Sequence, residues 1–293
     1  MGENNDEIRD NGTGGGRVTH TRGKRGGYVH GHSRRELERL QDQASALSDL
    51  LHHDTCYPPG SRVLEAGCGV GAQTRILARH SPEALFTSVD VSPDTVAQAR
   101  ESIARDGLSN VTFREADIFR LPFDRESFDH VFVCFLPEHL PDPVRALECL
   151  KEVLKPGGTI TIIEGDHGSA FFHPDSQEAR QAIGCLVEIQ RRMGGNALIG
   201  RELFHLVHDA GFSSVRVSPR FVYADGNRPD LVEGFTRNTF TAMVEGVAEK
   251  VRELDLMDTG AWQRGIRDLY RTAGLGGTFC YTFFKATGVK DQG

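Results

Sequence analysis

Val63-Leu64-Glu65-Ala66-Gly67-Cys68-Gly69-Val70-Gly71 is the stretch that decides the fold. The apolar segment 62–66 has the length and composition of a short buried strand. It runs into glycines at alternate positions, which let a backbone turn tightly and approach a ligand closely. The residues after them, Gln73–His80, have the spacing of a helix. Its first turn presents N–H groups with no partner inside the helix. A strand, a glycine turn and a helix together open a βαβ unit.

The same rhythm continues on the C-terminal side. Leu85–Val89 reads as a second strand ending at Asp90, and Pro93–Asp106 as a helix stopped by Gly107. Val111–Arg114 and Asp129–Phe135 read as strands three and four. Pro143–Leu154 reads as a helix closed by Lys155-Pro156-Gly157-Gly158, and Thr159–Ile163 as strand five. Such alternation implies a mostly parallel sheet with right-handed crossovers. Beyond it the rhythm breaks. Helices are expected at Gln177–Met193 and Arg201–Ala210, a sixth strand from Ser214, a helical stretch over 229–273, and an aromatic closing strand at Thr278–Lys285. Before the glycine loop, Leu37, Leu40, Ala44, Leu47 and Leu51 recur at helical spacing, with Ser33 and Glu36 as a capping box. Residues 1–27, rich in glycine and mixed charge, read as a disordered arm, and 28–293 as one domain with helical insertions at about 169–200 and 229–273.

The spacing Gly67-x-Gly69-x-Gly71 differs from the G-x-G-x-x-G of dinucleotide folds. Acids accompany three successive strands: Glu65 before the glycines, Asp90 at the end of strand two, and Asp117 after strand three. Asp90 suits a carboxylate accepting from both ribose hydroxyls. Asp117 can accept from an adenine amino group while Ile118 packs on the ring. Three acids fit a cationic, phosphate-free nucleoside better than a pyrophosphate.

With Ser88–Ser92, Ala116–Phe123, Phe128–Leu140 and Leu154–Thr159 added, the chain resembles class I S-adenosylmethionine (SAM)-dependent methyltransferases. The resemblance implies a Rossmann-like α/β fold with seven strands, the last antiparallel. It implies SAM contacts at Gly67, Gly69, Asp90, Asp117 and 134–136, with Val91 packing on the adenine and Cys134 or Phe135 offering a backbone carbonyl to the methionine end. Within the class the chain looks like the UbiE-type branch. More narrowly, through Tyr28–Ser33, Ile163–Ser169 and Gly194–Arg201, it resembles TleD-like bacterial natural-product C-methyltransferases acting on indoles.

In a doubly wound sheet, ligands bind beyond the carboxyl ends of the strands. Two acid/His pairs are expected there. Glu138-His139 follows strand four as substrate-binding residues, and Glu164-Gly165-Asp166-His167 follows strand five as a loop freed by Gly165 and Gly168. His167 is the candidate base, with Glu164 or Asp166 orienting it or binding the acceptor's N–H. Tyr28 is expected in a segment folding over the cofactor. The stripe Leu231, Phe235, Phe240, Met243, Val244, Val247 has core spacing, and Phe240 and Met243 are the candidates to line an aromatic pocket or a contact between copies in a homo-oligomer.

Composition narrows the alternatives. The formal net charge is −7 and 38% of residues are hydrophobic, so a nucleic-acid partner is disfavoured and a core is affordable. No apolar run approaches the roughly 20 residues that span a bilayer, and no signal-peptide core is visible, so a cytoplasmic enzyme is expected. The six cysteines form no C-x-x-C pair, and no metal site is expected. The rivals are another small-metabolite methyltransferase acting on a quinone, oxygen or nitrogen, a non-catalytic SAM-binding regulator, and an NAD-dependent oxidoreductase.

Overall fold

The computed structural model describes residues 47–292. Tyr28, His30, His32 and most of the expected first helix lie outside them. The described end of that helix, α1 (47–52), buries Leu47 and Leu51.

Seven strands form one sheet in the order β3-β2-β1-β4-β5-β7-β6. β1 (Arg62–Ala66), β2 (Leu85–Asp90), β3 (Val111–Glu115), β4 (Phe128–Cys134) and β5 (Leu154–His173) pair in parallel. β7 (Thr278–Val289) runs antiparallel to both β5 and β6 (Ser213–Ala224). Helices α2 (Ala72–His80), α3 (Pro93–Arg105) and α4 (Pro143–Val153) fill the crossovers. α3 and α4 start with a side-chain cap and a proline, Ser92 with Pro93 and Asp142 with Pro143.

One apolar layer joins α1, α2 and the sheet to the insertions. It includes Leu51, Leu77, Phe132, Ile163, Leu186, Phe240, Trp262, Tyr281 and Phe283. The other layer packs α4 and α6 (Leu203–Asp209) on the opposite face through Val131, Ile160, Leu150, Leu203 and Phe212. α5 (Gln177–Arg192), α7 (Pro229–Leu231), α8 (Ala242–Glu245), α9 (Ala248–Glu253) and α10 (Thr259–Thr272) make the cap. A π-helix, Val232–Thr241, joins α7 to α8.

Three expectations are corrected. β5 does not end at Ile163 but runs to His173, because β7 continues alongside it and pairs Glu164 with Phe284, Gly165 with Phe283 and Asp166 with Thr282. Residues 164–167 are therefore strand, not loop. The Lys155–Gly158 bend is absorbed into the same strand, as an irregularity in its pairing with β4. The helical stretch 229–273 is broken into four α segments and the π-helix. Asp54, just past α1, ties that helix to the far strands: Lys285 Nζ donates to Asp54 Oδ1 at 2.7 Å, and Arg220 pairs with Oδ2. Burial acts to raise the Asp54 pKa, but the two cations outweigh it and bring the carboxyl down to about 2. Among the described residues, no helix is long and apolar enough to cross a membrane.

Candidate active site

The glycine loop is shaped by positive φ angles at Gly67 (77°), Gly69 (50°) and Gly71 (82°). A Cβ on Gly67 would lie 2.8 Å from Leu136 Cδ2, so both the space and the backbone demand glycine there. Gly67 and Cys68 donate their N–H groups to Val89 O, at 2.8 and 3.0 Å, which clamps the loop onto β2. Asp90 spans the same junction. Its Oδ2 accepts from Gly69 N at 2.9 Å, and its Oδ1 from Ser92 N at 3.0 Å and Thr95 Oγ1 at 3.2 Å.

Val91, the next residue, is 57% exposed and offers an apolar surface beside this carboxylate. Asp117 is exposed and accepts from Phe119 N at 2.9 Å through Oδ1, while Ile118 beside it is half-buried. Gly67, Gly69, Asp90, Val91, Asp117 and Ile118 thus gather around the ends of β1, β2 and β3. Glu65 does not join them as a ligand-facing group. It is fully buried, and its Oε2 accepts from Thr74 Oγ1 at 2.7 Å and Ser88 Oγ at 2.6 Å. It braces the loop from beneath, tying β1 to α2 and β2.

β4 ends in a second strained turn. Cys134 is buried, and Phe135 sits at φ 54° with its N–H donated to Ile163 O at 3.0 Å. A bulky residue held in the left-handed region stores strain, and such outliers concentrate at functional sites. A 3₁₀ turn, Pro137–His139, follows and brings Glu138 over the end of β5.

The extension of β5 sorts its polar residues by strand alternation. Glu164 is fully buried. Its Oε1 accepts from Glu138 N at 3.4 Å, and its Oε2 has no partner among the described residues. Burial, then the charge of Glu138, push the Glu164 carboxyl well above the usual range. Gln190 of α5 closes over the pair, donating Nε2 to Glu138 Oε2 at 2.9 Å and to Glu138 O at 3.2 Å. That fixes its amide orientation and leaves Gln190 Oε1 buried without a partner among the described residues. His139 Nε2 lies 3.5 Å from Glu138 Oε1.

Asp166 is bound bidentately by Arg201, with Nε to Oδ2 at 2.7 Å and Nη2 to Oδ1 at 2.8 Å. Its expected role of orienting His167 is therefore corrected: neighbours in a strand point to opposite faces. His167 instead meets Tyr281, its Nδ1 2.7 Å from the phenol oxygen, with the Phe240 ring edge-on at 5.8 Å. Phe240 and Met243 are buried in the shared core. Sequence reasoning missed the roles of Tyr281 and Arg201. A cleft of about 540 Å³ between α9 and α10 is lined by Val251, Met257, Trp262 and Ile266, and it shares no residue with this rim.

Residues 64–162 match the family model of the methyltransferase domain. This stretch of the chain is a methyltransferase domain. An uncharacterized 37.1 kDa protein in transposon Tn4556 of Streptomyces fradiae is 33% identical over 208 residues, which cover 70% of this chain and 59% of that one. A chloroplastic 2-methyl-6-phytyl-1,4-hydroquinone methyltransferase of Oryza sativa is 30% identical over 44% of this chain and 37% of its own. The chain thus spans 59% and 37% of the length of these two curated relatives. Among solved structures, a phosphoethanolamine N-methyltransferase of Haemonchus contortus, in complex with S-adenosylhomocysteine, superimposes with a TM-score of 0.51 at 18% identity, over 86% of this chain and 53% of that one. It shares the fold of the methyltransferase domain. The glycine cradle and the strand-end acids of this domain suit SAM, whose charge is positive and which carries no phosphate.

Proposed function

We propose that this protein methylates a ring carbon of an indole-containing small molecule. SAM supplies an electrophilic methyl on a sulfonium. The chain's own contribution is to align an electron-rich ring with it and to exclude water, since alignment and desolvation carry much of the rate in such a displacement. Gly67, Gly69, Asp90 and Asp117 would hold the nucleoside, with Val91 and Ile118 against the adenine, and the strained turn at Cys134–Phe135 would hold the methionine end.

The observation that carries the acceptor assignment is the buried polar rim. Among the described residues, Glu164 Oε2 and Gln190 Oε1 are both buried and unpartnered, on side chains whose other polar atoms bond to Glu138. A buried oxygen without a donor costs about 1–3 kcal/mol, which an incoming N–H offsets. An indole N–H accepted by Gln190 Oε1 pushes electron density onto the 3-carbon, and Glu164, Glu138 and His139 stand beside it. Phe240, edge-on to His167, gives the ring an aromatic neighbour.

The test is a mass-spectrometric screen of purified protein and SAM against tryptophan-derived indoles, quinols, phenols and amines, with the methyl position assigned in each product. Methylation of an indole carbon supports the proposal. Turnover confined to a quinol or phenol sinks the indole assignment in favour of the second reading, for which the hydroquinone methyltransferase relative speaks.

A further inference from the structure

We propose that Tyr281 is a positioning residue that fixes the tautomer of His167: the phenol O–H donates to Nδ1, the ring hydrogen sits on Nε2, and the imidazole meets its partner as a donor, not as a base. The tautomer follows from the geometry alone. Its consequence for catalysis rests on the methyl-transfer reading above.

The two side chains come from strands 114 residues apart in sequence and meet at 2.7 Å, with Tyr281 1% and His167 7% exposed. The phenol has been given room. A methyl on Gly165 would collide with Tyr281 Oη, so glycine at that point of β5 admits the hydroxyl. The surroundings are aromatic: Phe235, Phe240 and Phe283 lie with ring centroids 5.4, 5.4 and 4.7 Å from that of Tyr281.

A buried O–H needs an acceptor, and among the described residues His167 Nδ1 is the one within hydrogen-bond distance of this hydroxyl. The reverse arrangement, with Nδ1–H donating to the phenol oxygen, would strand the phenol hydrogen among aromatic rings. Burial, then the charges of Glu138, Asp166 and Glu164, hold the Tyr281 pKa well above its ordinary value, so the hydrogen stays on the phenol. Whichever nitrogen accepts from Tyr281 cannot carry the ring hydrogen of a neutral imidazole, and the other must.

This changes what His167 can recognise. Its Nε2 gives a hydrogen bond to an oxygen or an unprotonated nitrogen and takes none from an N–H. In the indole reading, the ring N–H then belongs to Gln190 Oε1 and not to His167.

The experiment is a two-bond ¹H–¹⁵N spectrum of the full chain labelled at histidine, at neutral pH and without acceptor, with His167 assigned from its loss in His167→Gln. The expected pattern is Nε2–H in the wild type by about tenfold or more, and a mixture or the other tautomer in Tyr281→Phe. An Nδ1–H pattern in the wild type, or an Nε2–H pattern unchanged by Tyr281→Phe, overturns the proposal. Once a substrate is found, His167→Gln, which keeps a donor near the Nε2 position, should retain kcat within about tenfold while His167→Ala falls further. Equal losses in Gln and Ala overturn the donor role. Failure of every acceptor in the screen would count against methyl transfer and leave the spectrum, which needs no substrate, as the judge of the tautomer.

Discussion

Glu65 shows how a residue that reads as a ligand contact can be a brace. Its place before the glycines was legible, but its role was not, because Thr74 and Ser88, which take up one carboxyl oxygen, lie 9 and 23 residues away. Burial, only partly offset by those two hydroxyls, lifts its pKa from 4.5 to about 7. The folded chain therefore binds this proton more tightly than the unfolded chain does. The resulting stability is fully present below pH 4.5 and is lost as the pH rises through about 7, up to roughly 3 kcal/mol. Glu65→Gln should remove that slope. Urea midpoints measured from pH 4.5 to 8 should show the wild type losing ground to the variant across this window, and parallel curves would refute the assignment. Arg201 offers a second check at this scale. Removing it leaves a carboxylate with 3% of its side chain exposed without its cation. Arg201→Met should cost about 2 kcal/mol, less than a fully buried pair because the guanidinium is half-exposed. Arg201→Lys should restore only part of that, since a lysine cannot reproduce the bidentate geometry.

Among the elements, β1 to β4 were legible because each is a short apolar run ended by a turn residue. β5 was not: Glu164, Gly165, Asp166, His167 and Gly168 have the composition of a loop, and only the long antiparallel partner β7 makes them strand. That partner was visible as aromatic residues, and its alternation of Phe279, Tyr281 and Phe283 on one face was the signal that could have singled out Tyr281. The cap stripe carried a similar hint. The step from Phe235 to Phe240 is five residues, the hydrogen-bond step of the π-helix that runs through both. The close approach of β5 to β7 makes Gly165→Ala a test of the strand. Its methyl must displace the Tyr281 hydroxyl. We expect a loss of about 1–3 kcal/mol, the usual cost of overpacking a core, and disappearance of the Tyr281 dependence of the His167 ¹H–¹⁵N pattern. A variant with wild-type stability and spectrum would show that the phenol has slack the structure does not display.

At the scale of the whole molecule, the family match covers only residues 64–162, yet the core does not stop there. One apolar layer runs from Leu51 and Leu77 through Ile163 to Phe240, Trp262 and Leu269, so the cap shares its interior with the methyltransferase sheet. β7 reinforces this. It follows the cap in the chain but lies in the sheet between β5 and β6, so the sheet cannot be completed until the cap has returned the chain. Sheet and cap should therefore unfold together. The chain's single tryptophan, Trp262, sits 7% exposed in α10 and reports on the cap alone, whereas far-UV circular dichroism reports on the whole fold. The two probes should give coincident urea transitions. SAM at about 100 times its Kd should shift both by the same amount, roughly 3 kcal/mol, because a ligand bound at the strand ends stabilises every element that unfolds with them. If the tryptophan signal moved first, or failed to follow the shift, the cap would be a separate cooperative unit, and the polar rim between Glu138 and Gln190 would be a joint between two bodies instead of part of one interior.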